Sequence, residues 1–165
     1  MKRIGAFVGK FLPPHIGHVA QMEKCAEMVD ELHIVVSENP EKTAKLCESS
    51  GLDPIPGKLR VEWLAKHFEN NPKVKVFYFD ETGLKAFPEG LKEWSEKFKS
   101  QFKGINVKFA DETYRELNEK WFPECEFVVF DRTVIPVSST MIRNDIKKNI
   151  KYVIEEAREY FEKYL

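Results

Sequence analysis

The chain has 165 residues, of which 42% are hydrophobic, 13% aromatic and 32% charged, enough apolar material for one packed domain and unlike a disordered chain. Its 26 basic and 27 acidic residues leave a formal charge of −1, so no overall field draws it to nucleic acid, and any phosphate must be held by a local site. No apolar run is long enough for a membrane span, and Met1-Lys2-Arg3-Ile4-Gly5 leads into a strand with no leader-cleavage pattern, which predicts a soluble cytoplasmic protein without a membrane partner.

Ile4 to Val8 is a short apolar run of the kind a buried parallel strand shows. Val19, Met22, Ala26 and Val29 then recur at helical spacing. Leu32 to Val36 is a second, β-branched strand. From Ser37 to Gly57 the chain is polar and holds Pro40, Gly51, Pro54 and Pro56, which predicts a long loop with a helical turn around Lys42 to Leu46. Leu59, Trp63, Leu64, His67 and Phe68 share a helix face that Asn71-Pro72 terminates. Val74 to Phe79 is the third strand, and Asp80 to Gly90 a loop. Leu91, Trp94, Phe98 and Phe102 mark the next helix, Ile105 to Phe109 the fourth strand and Thr113 to Trp121 a helix. Phe127 to Phe130 is the fifth strand, followed by a helix from Ser139 to Lys148. Val153, Ala157, Tyr160, Phe161 and Tyr164 fall on one face of a closing helix, about 150–165. The widely spaced Cys25, Cys47 and Cys125 form no Cys-x-x-Cys pair and read as reduced packing residues. Strands that alternate with helices imply parallel crossovers, hence a Rossmann-like, doubly wound five-stranded parallel sheet with helices on both faces, in one domain, 1–165. Such sheets place ligands at the carboxyl ends of the strands, so the residues after each strand carry the functional argument.

After the first strand comes Gly9-Lys10-Phe11-Leu12-Pro13-Pro14-His15-Ile16-Gly17-His18, running into a helix. Gly9 permits a close backbone approach, Pro13 and Pro14 stiffen the loop, and Gly17 leaves room at the helix start. His15 and His18 both face a helix N-terminus, where free amides favour an anion. His33 and His67 lack such a context and read as ordinary polar residues. Gly5-Ala6-Phe7-Val8-Gly9-Lys10-Phe11 misses the P-loop by one residue and by its Ser or Thr, no G-x-G-x-x-G occurs, and no zinc-ligand spacing is visible. After the fifth strand, Val137-Ser138-Ser139-Thr140-Met141-Ile142-Arg143 supplies a second capped helix start with an arginine one turn along. Two anion-ready helix starts in one parallel domain describe a polyphosphate site.

The H-x-G-H loop and the Ser-Ser-Thr-x-Ile-Arg string resemble the two signatures of the nucleotidyltransferase superfamily. Gly9-Lys10-Phe11, His15 to His18, Val29 to Ile34, Pro56 to Arg60 and Gly83 to Gly90 with Trp94-Ser95 look like the adenylyltransferase domain of NadR-type NAD-synthesis proteins, over about residues 4 to 145. The resemblance implies magnesium-dependent adenylyl transfer from ATP to nicotinamide mononucleotide. It assigns His15, His18, Lys10 and Arg143 to catalysis, and Gly9, Phe11, Gly17, Ser138, Ser139 and Thr140 to ATP. Trp94 becomes the platform for the nicotinamide ring, although its spacing with Leu91 and Phe98 fits core packing equally well. Lys58 and Arg60 become candidates for the acceptor phosphate, against a solvated helix face. No protein ligand to a metal is expected, since magnesium bridges phosphate oxygens. A homo-oligomer is compatible with the sequence. The alternatives are a nucleotidyltransferase using CTP or another phosphorylated acceptor, and a non-catalytic nucleotide sensor. The chain contains no G-x-x-x-x-G-K-[ST] string, so the kinase activity of NadR-type proteins is not expected of it. The resemblance starts at the N-terminus and is followed by one closing helix, so their repressor activity is not expected either.

Overall fold

A computed structural model describes residues 1–130 and 135–165. Five parallel strands, β1 (Ile4–Gly9), β2 (Glu31–Glu38), β3 (Val74–Asp80), β4 (Val107–Ala110) and β5 (Glu126–Val129), lie in the order β3-β2-β1-β4-β5. The winding starts at β1, runs outward through β2 and β3, then returns to β4 on the other side of β1. This reversal opens a crevice at the carboxyl ends of β1 and β4.

Each face of the sheet is covered. On one, α1 (Ile16–Glu27) and α3 (Gly57–His67) bury Val19, Met22, Ala26, Trp63 and Leu64 against Phe7, Ile34 and Val36. On the other, α4 (Leu91–Gln101) and α5 (Arg115–Trp121) enclose a smaller aromatic core in which Phe79, Phe98, Phe102 and Phe122 meet Ala6 and Val35. A strand buried on both faces explains the apolar run Ile34-Val35-Val36 of β2, whose side chains enter both cores.

Three expectations need correction. The predicted loop from Ser37 to Gly57 contains a full helix, α2 (Pro40–Glu48). Asn39 caps it, accepting hydrogen bonds from Glu41 and Lys42 N–H groups, and Pro40 supplies the pre-set φ of its first turn. The expected helix from Ser139 to Lys148 is two pieces, α6 (Ser139–Asn144) and α7 (Ile146–Asn149), because Asp145 leaves helical dihedrals and caps the second by accepting from Lys148 N–H. The closing helix is likewise broken. Val153 and Ile154 turn extended to pair with the first loop, Ile154 N–H donating to Pro14 O, and a short helix α8 (Glu155–Arg158) and 3-10 turns to Tyr164 follow. Cys25, Cys47 and Cys125 are free thiols, and burial pushes that of Cys25 up to about 12.

Candidate active site

A cavity of about 900 Å³ opens at the carboxyl ends of β1 and β4. Its walls include Gly9, Lys10, Phe11, His15, Gly17 and His18 from the first string. Ser138, Ser139, Thr140 and Arg143 join from the second string, and Trp94 from α4. The fold therefore brings the two strings together in one chamber.

The histidines build their own helix start. His15 is the N-cap of α1, a position usually held by Ser, Thr, Asp or Asn. Its Nδ1 accepts from the Gly17 and His18 N–H groups at 3.1 and 3.2 Å, while His18 Nδ1 accepts from the His15 N–H at 3.1 Å. This is a reciprocal capping box made of imidazoles. A ring whose Nδ1 accepts from an amide carries its proton on Nε2, so both rings are fixed as Nε2–H donors. The rings stack with centroids 3.5 Å apart, and Phe11 meets His18 edge-on at 4.9 Å. Burial lowers the His15 pKa to about 4, which keeps this ring neutral at physiological pH. A carboxylate is not needed to set the tautomer, because the backbone does it.

Gly9 and Gly17 make room for these rings. A Cβ on Gly9 would lie 2.8 Å from the Phe11 ring, and one on Gly17 would lie 3.0 Å from His15 Cε1. Phe11 itself sits in the left-handed region at φ 50, a strained conformation for a bulky residue that its burial (3% exposed) holds in place. Gly9 and Phe11 thus shape the loop.

The loop is gripped through its carbonyls. Arg60 Nη1 donates to Lys10 O at 2.5 Å, Arg143 Nη1 to Leu12 O at 2.7 Å, Ser139 Oγ to Pro13 O at 3.0 Å, and Ile154 N to Pro14 O at 3.3 Å. The second string therefore holds the first in shape. Arg143 also donates to Thr140 Oγ1 at 3.4 Å, and Ser138 Oγ caps α6 by accepting from Met141 N–H. Lys10 is exposed at the cavity edge.

The acceptor-side assignments fare differently. Trp94 is packed into the aromatic core and also lines the cavity. Its indole stacks on Phe98 at 5.0 Å and donates through Nε1 to Glu81 at 2.7 Å. Arg60 lies outside the chamber. It is 0% exposed and ion-paired with Glu38, whose carboxylate also accepts from Thr43 and Tyr78 hydroxyls. A guanidinium already paired and sealed there is a structural clamp on the loop and cannot reach an acceptor phosphate. Lys58 is exposed on α3 and lies off the cavity wall. The sequence reading missed Lys108, Tyr114, Asn118 and Phe122, which also line the cavity. Alternation in β4 was the available signal: Lys108 sits between the buried Val107 and Phe109 and points to the opposite, equally covered face. Among the described residues, no group of three or more His, Cys, Asp or Glu side chains is placed to hold a metal ion. No helix among them is long and apolar enough to cross a membrane.

A parallel sheet wound in this order, with an amide- and imidazole-rich loop at its switch point, defines a nucleotide-binding α/β protein. Residues 6–145 match the cytidylyltransferase-like family, and the chain belongs to this family of nucleotidyltransferases. It is 30% identical over 171 residues to the trifunctional NAD biosynthesis/regulator protein NadR of Escherichia coli, covering 97% of this chain and 41% of that protein. It is 29% identical over 160 residues to a probable nicotinate-nucleotide adenylyltransferase of Sulfurimonas denitrificans, covering 91% of this chain and 81% of the relative. A crystal structure of NadR in complex with NAD and AMP-PNP superposes with a TM-score of 0.77 at 25% identity, over 98% of this chain and 47% of that one. The chain thus spans less than half the length of the NadR relatives.

Proposed function

We propose that this protein transfers the adenylyl group of ATP to nicotinamide mononucleotide, forming NAD and pyrophosphate. The observation that carries the reading is the imidazole capping box, which fixes two Nε2–H donors on histidines that line the cavity at a helix start. The NadR relatives and the NadR structure with NAD and AMP-PNP support the choice of nucleotides.

In the reaction a phosphate oxygen of the acceptor attacks the α-phosphorus of ATP in line. The bond from that phosphorus to the bridging oxygen breaks, and pyrophosphate leaves with the negative charge. Catalysis consists of aligning the phosphates and neutralising charge as it develops. His18 and His15 donate to the ATP phosphates, with His18 acting chiefly in the transition state. Lys10 brings a mobile cation from the cavity edge. Arg143 offers N–H groups to the departing phosphates while Nη1 stays on Leu12 O, and the amides of Ser139 and Thr140 add donors beside it. Trp94 carries the nicotinamide ring. A magnesium ion carried by ATP would add neutralising charge on the phosphates, and no described group of three or more His, Cys, Asp or Glu side chains would be needed to hold it.

The test is a panel of ATP and CTP, each with nicotinamide mononucleotide and other phosphorylated acceptors, scored by pyrophosphate release. ATP with nicotinamide mononucleotide should give NAD and pyrophosphate in equal amounts, dependent on magnesium. Turnover with CTP alone would redirect the reading to another nucleotidyltransferase, and saturable binding without turnover would make the protein a sensor.

A further inference from the structure

Lys108 is 6% exposed and extends from β4 into the aromatic core. Its Nζ lies 4.2 Å from the ring centroid of Phe122, 4.5 Å from Phe98 and 5.4 Å from Trp94. Among the described residues it forms no ion pair. Glu124, whose field reaches it, is engaged by Lys99 at 3.0 Å, and the Cys125 thiol is pushed up by burial. Desolvation pulls the ammonium down to about 8, which still leaves it protonated at neutral pH.

An unpaired charge in an apolar box is costly, and ring faces recover only part of that cost. A structural lysine at this place would be replaced at a gain by methionine or leucine. The sealed polar atoms without a hydrogen bond among the described residues belong to His33, Arg143 and Arg60, whose Nη2 is ion-paired with Glu38. Lys108 has no hydrogen-bond partner there either, so its ammonium still reaches the cavity that it walls together with Trp94 and Phe122. A cation beside a ring platform is a poor neighbour for a pyridinium bearing a neutral carboxamide. It is a good one for a pyridinium bearing a carboxylate, which cancels the ring's own charge and pairs with the ammonium.

We propose that Lys108 makes the acceptor end a carboxylate subsite, so that nicotinate mononucleotide is adenylylated at least as efficiently as its amide and Lys108 decides between them. This inference rests on the pyridine-mononucleotide reading of the cavity. The carboxylate is remote from the reacting phosphate, so Lys108 acts on acceptor binding, and its loss appears in KM far more than in kcat.

The experiment compares kcat/KM for the acid and amide mononucleotides, with ATP saturating, in wild type, Lys108→Met and Lys108→Arg. In wild type the acid should equal or exceed the amide. Lys108→Met should lower the acid-to-amide ratio about 10- to 100-fold, the scale of losing one partner of a desolvated charge pair. Lys108→Arg should restore much of it. A purely structural lysine would move both acceptors together and leave the ratio within about twofold, which overturns the proposal. If Lys108→Met fails to fold, Lys108→Gln carries the same comparison. Wild type that uses the amide but not the acid overturns the Lys108 inference alone. Wild type that forms no dinucleotide from either overturns the function reading beneath it.

Discussion

At one end of the cavity the loop from Lys10 to Pro14 is gripped at four carbonyls by donors from α3, α6 and the tail. At the other end, Trp94, Phe98 and Phe122 enclose Lys108 by ring packing, with one indole hydrogen bond to Glu81. The first is a directional, hydrogen-bonded frame that leaves few alternative geometries. The second is held by apolar contact, which tolerates changes of shape as long as volume is kept. Under the proposed reaction, the difference fits what each end would do. A phosphate is the same in every nucleotide and rewards one fixed geometry, whereas an acceptor is selected by shape and charge.

The comparison breaks first at Arg60. Arg60→Met leaves Glu38 buried without its cation, and denaturant unfolding should show a loss of about 3–5 kcal/mol. Adding Glu38→Gln should recover part of that loss, because the two side chains form one network with Thr43 and Tyr78. An Arg60→Met protein as stable as wild type would mean that the frame does not depend on this clamp.

The next effect is at His18. Removing its donor should lower turnover roughly 10²–10³-fold, as for one lost oxyanion-type hydrogen bond, with KM for ATP moving much less. His18→Asn sharpens the point, since an amide oxygen can still accept the His15 N–H in the cap while the Nε2 donor is gone. Steady-state kinetics in which His18→Asn keeps full turnover would reduce His18 to a capping residue.

The smallest effect belongs to the packed end. Trp94→Ala should raise KM for the mononucleotide about 5- to 150-fold, the range for a lost base–aromatic stack of roughly 1–3 kcal/mol, while KM for ATP stays nearly constant. Trp94→Phe should recover part. A lower melting temperature with unchanged acceptor KM would leave Trp94 as a wall of the aromatic core only.

Legibility from sequence follows the same division. The parallel winding was readable because each strand is a short apolar run followed by helical spacing, and the phosphate strings were readable because their residues lie close together in the chain. Helix α2 was hidden because it buries only Thr43 and Cys47, so it lacks an apolar stripe, although Asn39-Pro40 is a sound helix start. The tail has helical periodicity but breaks at Val153 and Ile154, because pairing with His15 and Pro14 outweighs local propensity. Arg60 misled because its surroundings come from a distant segment, Glu38 of β2, and no local pattern announces its burial. Lys108 was passed over although strand alternation turns it to a covered face, because the rings that enclose it come from α4 and Phe122.

The grip on Lys10 O reaches further than the carbonyl itself. The peptide joining Lys10 to Phe11 is trans, so its C=O and N–H point in opposite directions. With the oxygen drawn to Arg60 on α3, the Phe11 N–H is turned away from α3. Pro13 and Pro14 carry no N–H, and that of His15 goes to His18, so Phe11 and Leu12 bring the backbone donors of this stretch. Arg60, sealed from the cavity, therefore acts as a rotational stop on a peptide plane and sets the direction of one amide dipole on its wall.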